Sequence, residues 1–241
     1  MRHLKRHITL ALFISMSGFL FAQNEVVVSS KNKSESPFYG FSAHLDIASP
    51  LMGLATDRGI IEEEGSFDVN FLDRFFPIIE LGYASVNTQA NNGSMYSATA
   101  PFGRLGVNFN LLKTKDKEGN LKPSRNYAYV GVRYGMSFVN YDVSNIPLTS
   151  GYWNENQLLN LNGKGYGGWG EVVAGVRVDM AKGFTMGWSV RVKLFLHSSL
   201  ENKQEMWYVP GFGKSSGNAF TLNYTLGYTY RTKTERLKLK K

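Results

Sequence analysis

The sequence predicts an all-β protein, a closed antiparallel up-and-down transmembrane β-barrel of about eight strands. Three observations carry that expectation. Apolar and polar residues alternate with period two over long segments. Most of these segments run to about nine residues or more, beyond the five or six usual in soluble sheets and close to the ~9–11 that a tilted strand needs to cross hydrocarbon. Charged residues within them keep to the face opposite the apolar row, as expected if that row meets lipid, where a midplane Arg or Lys costs about 2–4 kcal/mol.

Taken in order, residues 1–22 read as an export signal, with Arg2, Lys5 and Arg6, an apolar run from Ile8 to Phe21, and Ala22 as the cleavage position. The run is short for a spanning helix and is interrupted by Ser15, Ser17 and Gly18. Residues 23–37 read as a polar periplasmic linker, 38–231 as the barrel and 232–241 as a basic periplasmic tail. The clearest strand alternates from Phe184 to His197, with Phe184, Met186, Trp188, Val190, Val192, Leu194 and Leu196 on one face. The last strand repeats the pattern from Phe220 to Tyr230, and others run from Tyr39 to Ile47, Leu105 to Leu111, Ala128 to Phe138 and Val172 to Met180. Two fainter ones run from Ser66 to Asp73 and from Ile78 to Asn87. On the polar face of these strands lie Asp46, Asp68, Glu80, Arg104, Arg133, Glu171, Arg177, Asp179, Arg191 and Lys193.

The connections give an independent criterion. Residues 48–65, 88–101, 142–168 and 198–219 are expected as long outer loops. Residues 74–77 and 181–183 are expected as tight periplasmic turns, with 113–125 an extended one. That alternation, with both termini on the periplasmic side, belongs to outer-membrane barrels. Tyr39, Tyr141, Trp169, Tyr228 and Tyr230 lie near strand ends, where interfacial girdles would form.

Composition excludes several functions. There is no Cys, hence no disulfide, thiolate metal site or cysteine nucleophile. The net charge of +8 sits at the two ends, in the signal and in a tail carrying Arg231, Lys233, Arg236, Lys238, Lys240 and Lys241 against Glu235, and the body between them is neutral. No nucleic-acid partner follows from such a distribution. Nothing implies a cofactor.

The segments RFFPIIELGYAS, APFGRLGVNFNLL, YAYVGVRYGMSF and GGWGEVVAGVRVDM resemble those of an uncharacterised family of small outer-membrane β-barrel proteins of Gram-negative bacteria. More loosely, the chain is similar to the eight-stranded barrels typified by OmpX and the OmpA membrane domain, over roughly Phe38 to Arg231. The resemblance implies the fold, the cell outer membrane, its lipid, and the outer-membrane insertion machinery as a partner during biogenesis; it supplies no activity. The tail RTKTERLKLKK departs from barrels that end on an aromatic residue.

Candidate sites follow from the strand faces and loops. Glu80, Arg104, Arg133, Glu171, Arg177, Asp179, Arg191 and Lys193 are expected to form a lumen charge network, in an interior that eight strands leave just wide enough for side chains. Tyr152 and Trp153 in one outer loop, with Trp207, Tyr208 and Phe212 in the last, are candidate contacts for an extracellular ligand or partner, or a small core of the loops themselves. His44, Asp46, His197 and Ser199 supply the residue types of a hydrolase and are expected near the outer rim. The glycine-rich GKGYGGWG is expected as a loop entering a strand, and Glu62, Glu63 and Glu64 as a solvated acidic cluster. The function expected is non-enzymatic: an envelope-structural or loop-mediated binding role. The alternatives are a narrow gated pore, a rim-located lipid-modifying or hydrolytic enzyme, and a soluble lipocalin-like periplasmic carrier.

Overall fold

The computed structural model describes residues 37–56, 59–90, 92–112, 114–115, 121–122, 124–148, 157–200, 207–215 and 218–232. The expected export signal, the linker to Ser36, the tail from 233, and Tyr152 and Trp153 lie outside them. Eight antiparallel strands close in a ring: β1 (Phe38–Asp46), β2 (Ile60–Phe71), β3 (Phe75–Gln89), β4 (Met95–Asn110), β5 (Tyr127–Leu148), β6 (Gln157–Ala181), β7 (Phe184–Leu200) and β8 (Ala219–Arg231). Each strand pairs with its neighbours in sequence and β8 returns to β1. Among the described residues one helix, α1 (Ala48–Thr56), follows β1.

One end of the ring carries tight turns. Lys182 and Gly183 both have positive φ, 50° and 94°, and join Ala181 to its partner Phe184 in a two-residue hairpin whose twist suits the flanking strands. Leu72 and Asp73, both at φ 56°, begin the other short turn. The opposite, loop end differs from the spacing expected from sequence. β3 and β4 meet through residues 90–94 rather than a long loop, and β5 and β6 extend to 22 and 25 residues. GKGYGGWG therefore lies inside β6 and pairs with β5 and β7 rather than looping. The acids Glu62, Glu63 and Glu64 belong to β2 rather than to a solvated loop.

Polarity inverts along the strands. In β3 the outward row is Phe75, Pro77, Ile79, Leu81 and Tyr83, then Ser85, Asn87 and Gln89, whereas inward Glu80 gives way to Ala84 and Val86. β4 and β5 do the same, with outward apolar stretches over Pro101–Phe109 and Ala128–Phe138 and polar Ser97, Thr99, Asn140 and Asp142 beyond them. The apolar exterior of these three strands is thus a belt of close to ~9–11 residues, and past it they continue with apolar residues such as Ala84, Val86, Ala98 and Val139 inside and mostly polar ones outside, Met95 excepted. Tyr228 and Tyr230 face outward as girdle residues do; Tyr39 and Trp169 instead point inward and are buried.

α1 sits in the wall. Gly53 lets it lie flush on β2, since a Cβ there would stand 2.4 Å from the Ile60 carbonyl oxygen. It carries no charged residue in its first or last turn and exposes Leu51, Met52 and Leu54.

In the 72–74 turn, Asp73 accepts the Ser124 backbone N–H at 2.9 Å and its own N–H donates to Asn70 Oδ1 at 2.8 Å. Burial pushes its carboxyl from the ordinary 3.8 up to about 6, against the pull of the Ser124 N–H, of the Asn70 side-chain amide that donates to it, and of Arg231. The folded state therefore holds a proton that the unfolded chain has released across this window, and stability is lost as pH rises through it. Asp73→Asn keeps the acceptor and the tolerance of positive φ but removes the charge. Urea titration of the folded protein in detergent should find it more stable than the parent by about 1–3 kcal/mol at pH 7.5 and equal to it at pH 3; equality at both values would contradict the assignment.

Candidate functional site

Six consecutive strands send charges to the centre of the ring: Glu64, Glu80, Arg104, Arg133, Glu171, Arg191 and Lys193. Strand register alone sets opposites side by side, with Glu80 across from Arg104, Arg133 from Glu171, and Glu171 from Lys193. The side chains then cross the lumen. Arg191 Nη1 lies 2.9 Å from Glu80 Oε2 and its Nη2 2.8 Å from Glu64 Oε1. Because β3 and β7 occupy opposite positions in the ring, the Glu80–Arg191 pair spans it. Arg133 reaches Glu80 at 3.0 Å, and Arg104 pairs with Glu64 and, at 2.8 Å, with Glu171. Trp169 Nε1 donates to Glu171 at 2.6 Å, which leaves that carboxylate held from two sides.

A second layer lies nearer the tight turns. Arg177 Nη2 meets Asp68 at 2.8 Å, again between opposite strands, β6 and β2. The Phe76 and Tyr127 rings stack at 4.7 Å, and Arg177 lies over Tyr127 at 5.2 Å. Asp179 pairs with Arg231 at 2.9 Å on the way out.

The mouth at the loop end is filled by residues 207–215. Phe212 is fully buried against Trp169 and Phe195, with ring centroids at 6.0 and 5.1 Å. The Gly211 carbonyl accepts from Arg104 Nη2 and from Lys193 Nζ, both at 2.8 Å. Glu62 holds the same segment from the other side, accepting the Tyr208 hydroxyl at 2.9 Å and the Gly211 N–H at 3.2 Å. Burial and the charge of Glu62 raise the Tyr208 hydroxyl well above its usual range. Gly211 is required: φ is +79°, and a Cβ would fall 2.6 Å from the Phe102 ring.

All eight residues expected in the lumen network point inward, divided between the central layer and the turn-end layer. Glu64, Asp68 and Arg231 complete their pairs. A strand beginning as early as Ile60 was not visible in the sequence, and EEE reads as solvated until alternation is extended through it. Of the candidate loop residues, Trp207 is half-exposed, whereas Tyr208 and Phe212 are buried in the mouth. His44, Asp46 and His197 do not assemble. His44 shares a 2.9 Å hydrogen bond with Thr185 inside the barrel, and Asp46 fastens the start of α1. A bulge in β7, where Leu196 has no partner between Phe195 and His197, turns His197 outward onto Tyr134 at 3.0 Å. Among the described residues no group of acids and histidines could hold a metal ion.

The ring and its interior define an eight-stranded up-and-down barrel closed by its own charges and its last loop. The chain belongs to the family described as Domain of unknown function (DUF6048), matched over residues 4–232. Among solved structures it is similar to the N-terminal β-barrel domain of Pseudomonas aeruginosa OprF, at 10% identity over 80% of this chain and 98% of that one, with a TM-score of 0.38. No curated protein matches it.

Removing Glu80 alone strips Arg133 of its carboxylate and Arg191 of one of its pairs. Glu80→Ala should cost about 3–5 kcal/mol in denaturant unfolding, the usual consequence of a buried charge left alone. The double variant Glu80→Ala with Arg133→Met should recover part of that loss; a double variant as unstable as the sum of the two single ones would show that the charges do not act as a unit.

Proposed function

We propose that the protein is a non-enzymatic outer-membrane β-barrel with a closed lumen, acting as an envelope-structural element and binding through its loop end and outer surface. The observation that supports this best is the inversion of polarity along β3, β4 and β5. An apolar belt outside ionic interior layers suits a hydrocarbon slab, and the return to a polar exterior beyond Tyr83, Pro101 and Phe138 suits emergence into water. A lipocalin-like carrier would place its apolar row inward around a ligand, whereas the interior at belt height is built from Glu80, Arg104, Arg133 and Arg191.

The pore reading is less well supported. Ion pairs between opposite strands cross the lumen at two levels, Glu80–Arg191 and Asp68–Arg177, and the 207–215 segment stands above both. A conducting path would have to break desolvated pairs at each level.

Two measurements separate these readings. The protein from the outer-membrane fraction should migrate faster unboiled than boiled in SDS, as a closed detergent-resistant barrel does; a protein found soluble in the periplasm and showing no shift would return the carrier to favour. In planar bilayers the folded protein should be electrically silent, and steady conductance altered by Arg191→Ala would establish the pore instead.

A further inference from the structure

The hydrogen-bonded wall of the barrel has a gap. β1 stops at Asp46, whereas β8 begins at Ala219, six residues before Thr225, the partner of Asp46, and β2 runs on to Ile60. Pairing with β1 ends at Asp46–Thr225, plus the Ile47 N–H to the Tyr224 carbonyl, on one side and at Leu45–Gly65 on the other. Among the described residues no strand bridges 219–223 of β8 to 60–64 of β2, and α1 stands in that space. On the β8 side the exposed Phe220 and Leu222 carry the apolar belt up to the gap, whereas on the β2 side residues 60–64 pair with 82–86 of β3, at the belt's upper edge. Asp46 is the fastening. Its carboxylate accepts from the Ala48 N–H at 3.2 Å and the Ser49 hydroxyl at 2.6 Å, and also from Asn223 Nδ2 at 2.8 Å and the Tyr224 N–H at 3.2 Å, so one side chain ties the helix start to β8.

Two cavities meet at this helix. The inner one, about 950 Å³, opens at the loop end beside Asn92 and is lined by Ile60, Trp207 and Phe212 and by the charged residues Glu62, Lys193 and Lys214. The outer one is a groove of about 950 Å³ along the lipid-facing rows of β5 to β8, with Val176, Trp188 and Leu222 in its floor. Ser49, Met52, Phe220 and Thr221 line both. The partition between bilayer and interior is therefore the first turns of α1 and the edge of β8, with apolar packing where the rest of the ring has backbone hydrogen bonds.

We propose that the inner cavity binds one acyl chain of an anionic amphiphile, which enters sideways from the bilayer past α1. This rests on the membrane reading above. The volume lies within the ~300–1,000 Å³ of small-ligand sites, and the mixture of an apolar lining with a few polar groups is theirs also. Charge selects the headgroup. Glu62 already accepts from Tyr208 and Gly211, Lys193 donates to the Gly211 carbonyl, and Lys214 stands 5.4 Å from the Trp207 ring, so two cations face one engaged carboxylate. A carboxylate or phosphate head fits that excess. Leu51, Met52 and Leu54, exposed on a helix without charge, give the entry its lipid-compatible surface.

The test uses the folded full-length protein in phosphatidylcholine vesicles, with palmitic acid carrying a mid-chain diazirine as one probe and phosphatidylglycerol carrying the same group in an acyl chain as the other. After irradiation, adducts are mapped by mass spectrometry. We expect adducts on Ile60, Trp207 and Phe212, reduced several-fold by Lys214→Gln, an exposed substitution, and by Thr221→Trp, which fills the entry, and unchanged by Lys182→Gln at the far end. Interior labelling by palmitic acid alone identifies a free carboxylate as the occupant, and interior labelling by the phospholipid identifies a membrane lipid. Adducts confined to Val176, Trp188 and Leu222, in protein that keeps its gel shift, overturn the inner site while leaving the membrane barrel intact. Protein that neither inserts nor shifts overturns both.

Discussion

Eight strands closed in a ring leave an interior just wide enough for side chains, so each charge that the alternation sends inward must meet its opposite there. Glu80 is where that requirement converges, with Arg133, Arg191 and Arg104 all within 3.4 Å of its oxygens. The contacts tie strands three, four, five and seven of the ring to one carboxylate. The closure of the lumen and the seating of the last loop depend on the same cluster, because Arg104 binds both Glu171 and the Gly211 carbonyl. What fills the barrel is therefore also what caps it.

The exterior follows from the complementary half of the same alternation. Once charges are inward, the outward rows of Ile79, Leu81, Leu105, Val132 and Leu222 stand exposed among the described residues and form an apolar girdle. The residues that end it, Ser85, Thr99 and Asn140, mark the height at which, on the proposed membrane reading, the surroundings become aqueous. A soluble barrel has no reason to change the polarity of both faces at one level, whereas a slab of hydrocarbon between two aqueous phases imposes such a change.

The strand faces were legible in the sequence because a period of two fixes them without reference to any partner. Asp68, Glu80, Arg104, Arg133, Glu171, Arg177 and Arg191 could be assigned inward from alternation alone. Their pairing could not, since the Glu80–Arg191 and Asp68–Arg177 contacts join strands on opposite sides of a closed ring and depend on closure and shear. Local exceptions were equally hidden. A one-residue bulge at Leu196 reverses the face of His197 and dissolves the candidate hydrolase grouping, and nothing in HSS announces it. The aromatic run near Trp207 was visible as anomalous in a loop, and its cause is the plug, with Tyr208 and Phe212 turned into the mouth. The α1 segment, ASPLMGLAT, was hidden among loop residues because it is short, lacks charge and carries Pro and Gly.

On the membrane reading the outward rows lie in hydrocarbon while the loop end lies in water. A chain without cysteine permits a direct measurement, with an environment-sensitive fluorophore placed singly at Leu81→Cys, Leu105→Cys or Asn92→Cys in vesicle-reconstituted protein. Labels at Leu81 and Leu105 should emit as in hydrocarbon and be quenched by a lipid-borne nitroxide, with the label at Asn92 quenched by aqueous iodide instead. Iodide reaching all three sites equally would put the outward rows in water and remove the membrane reading.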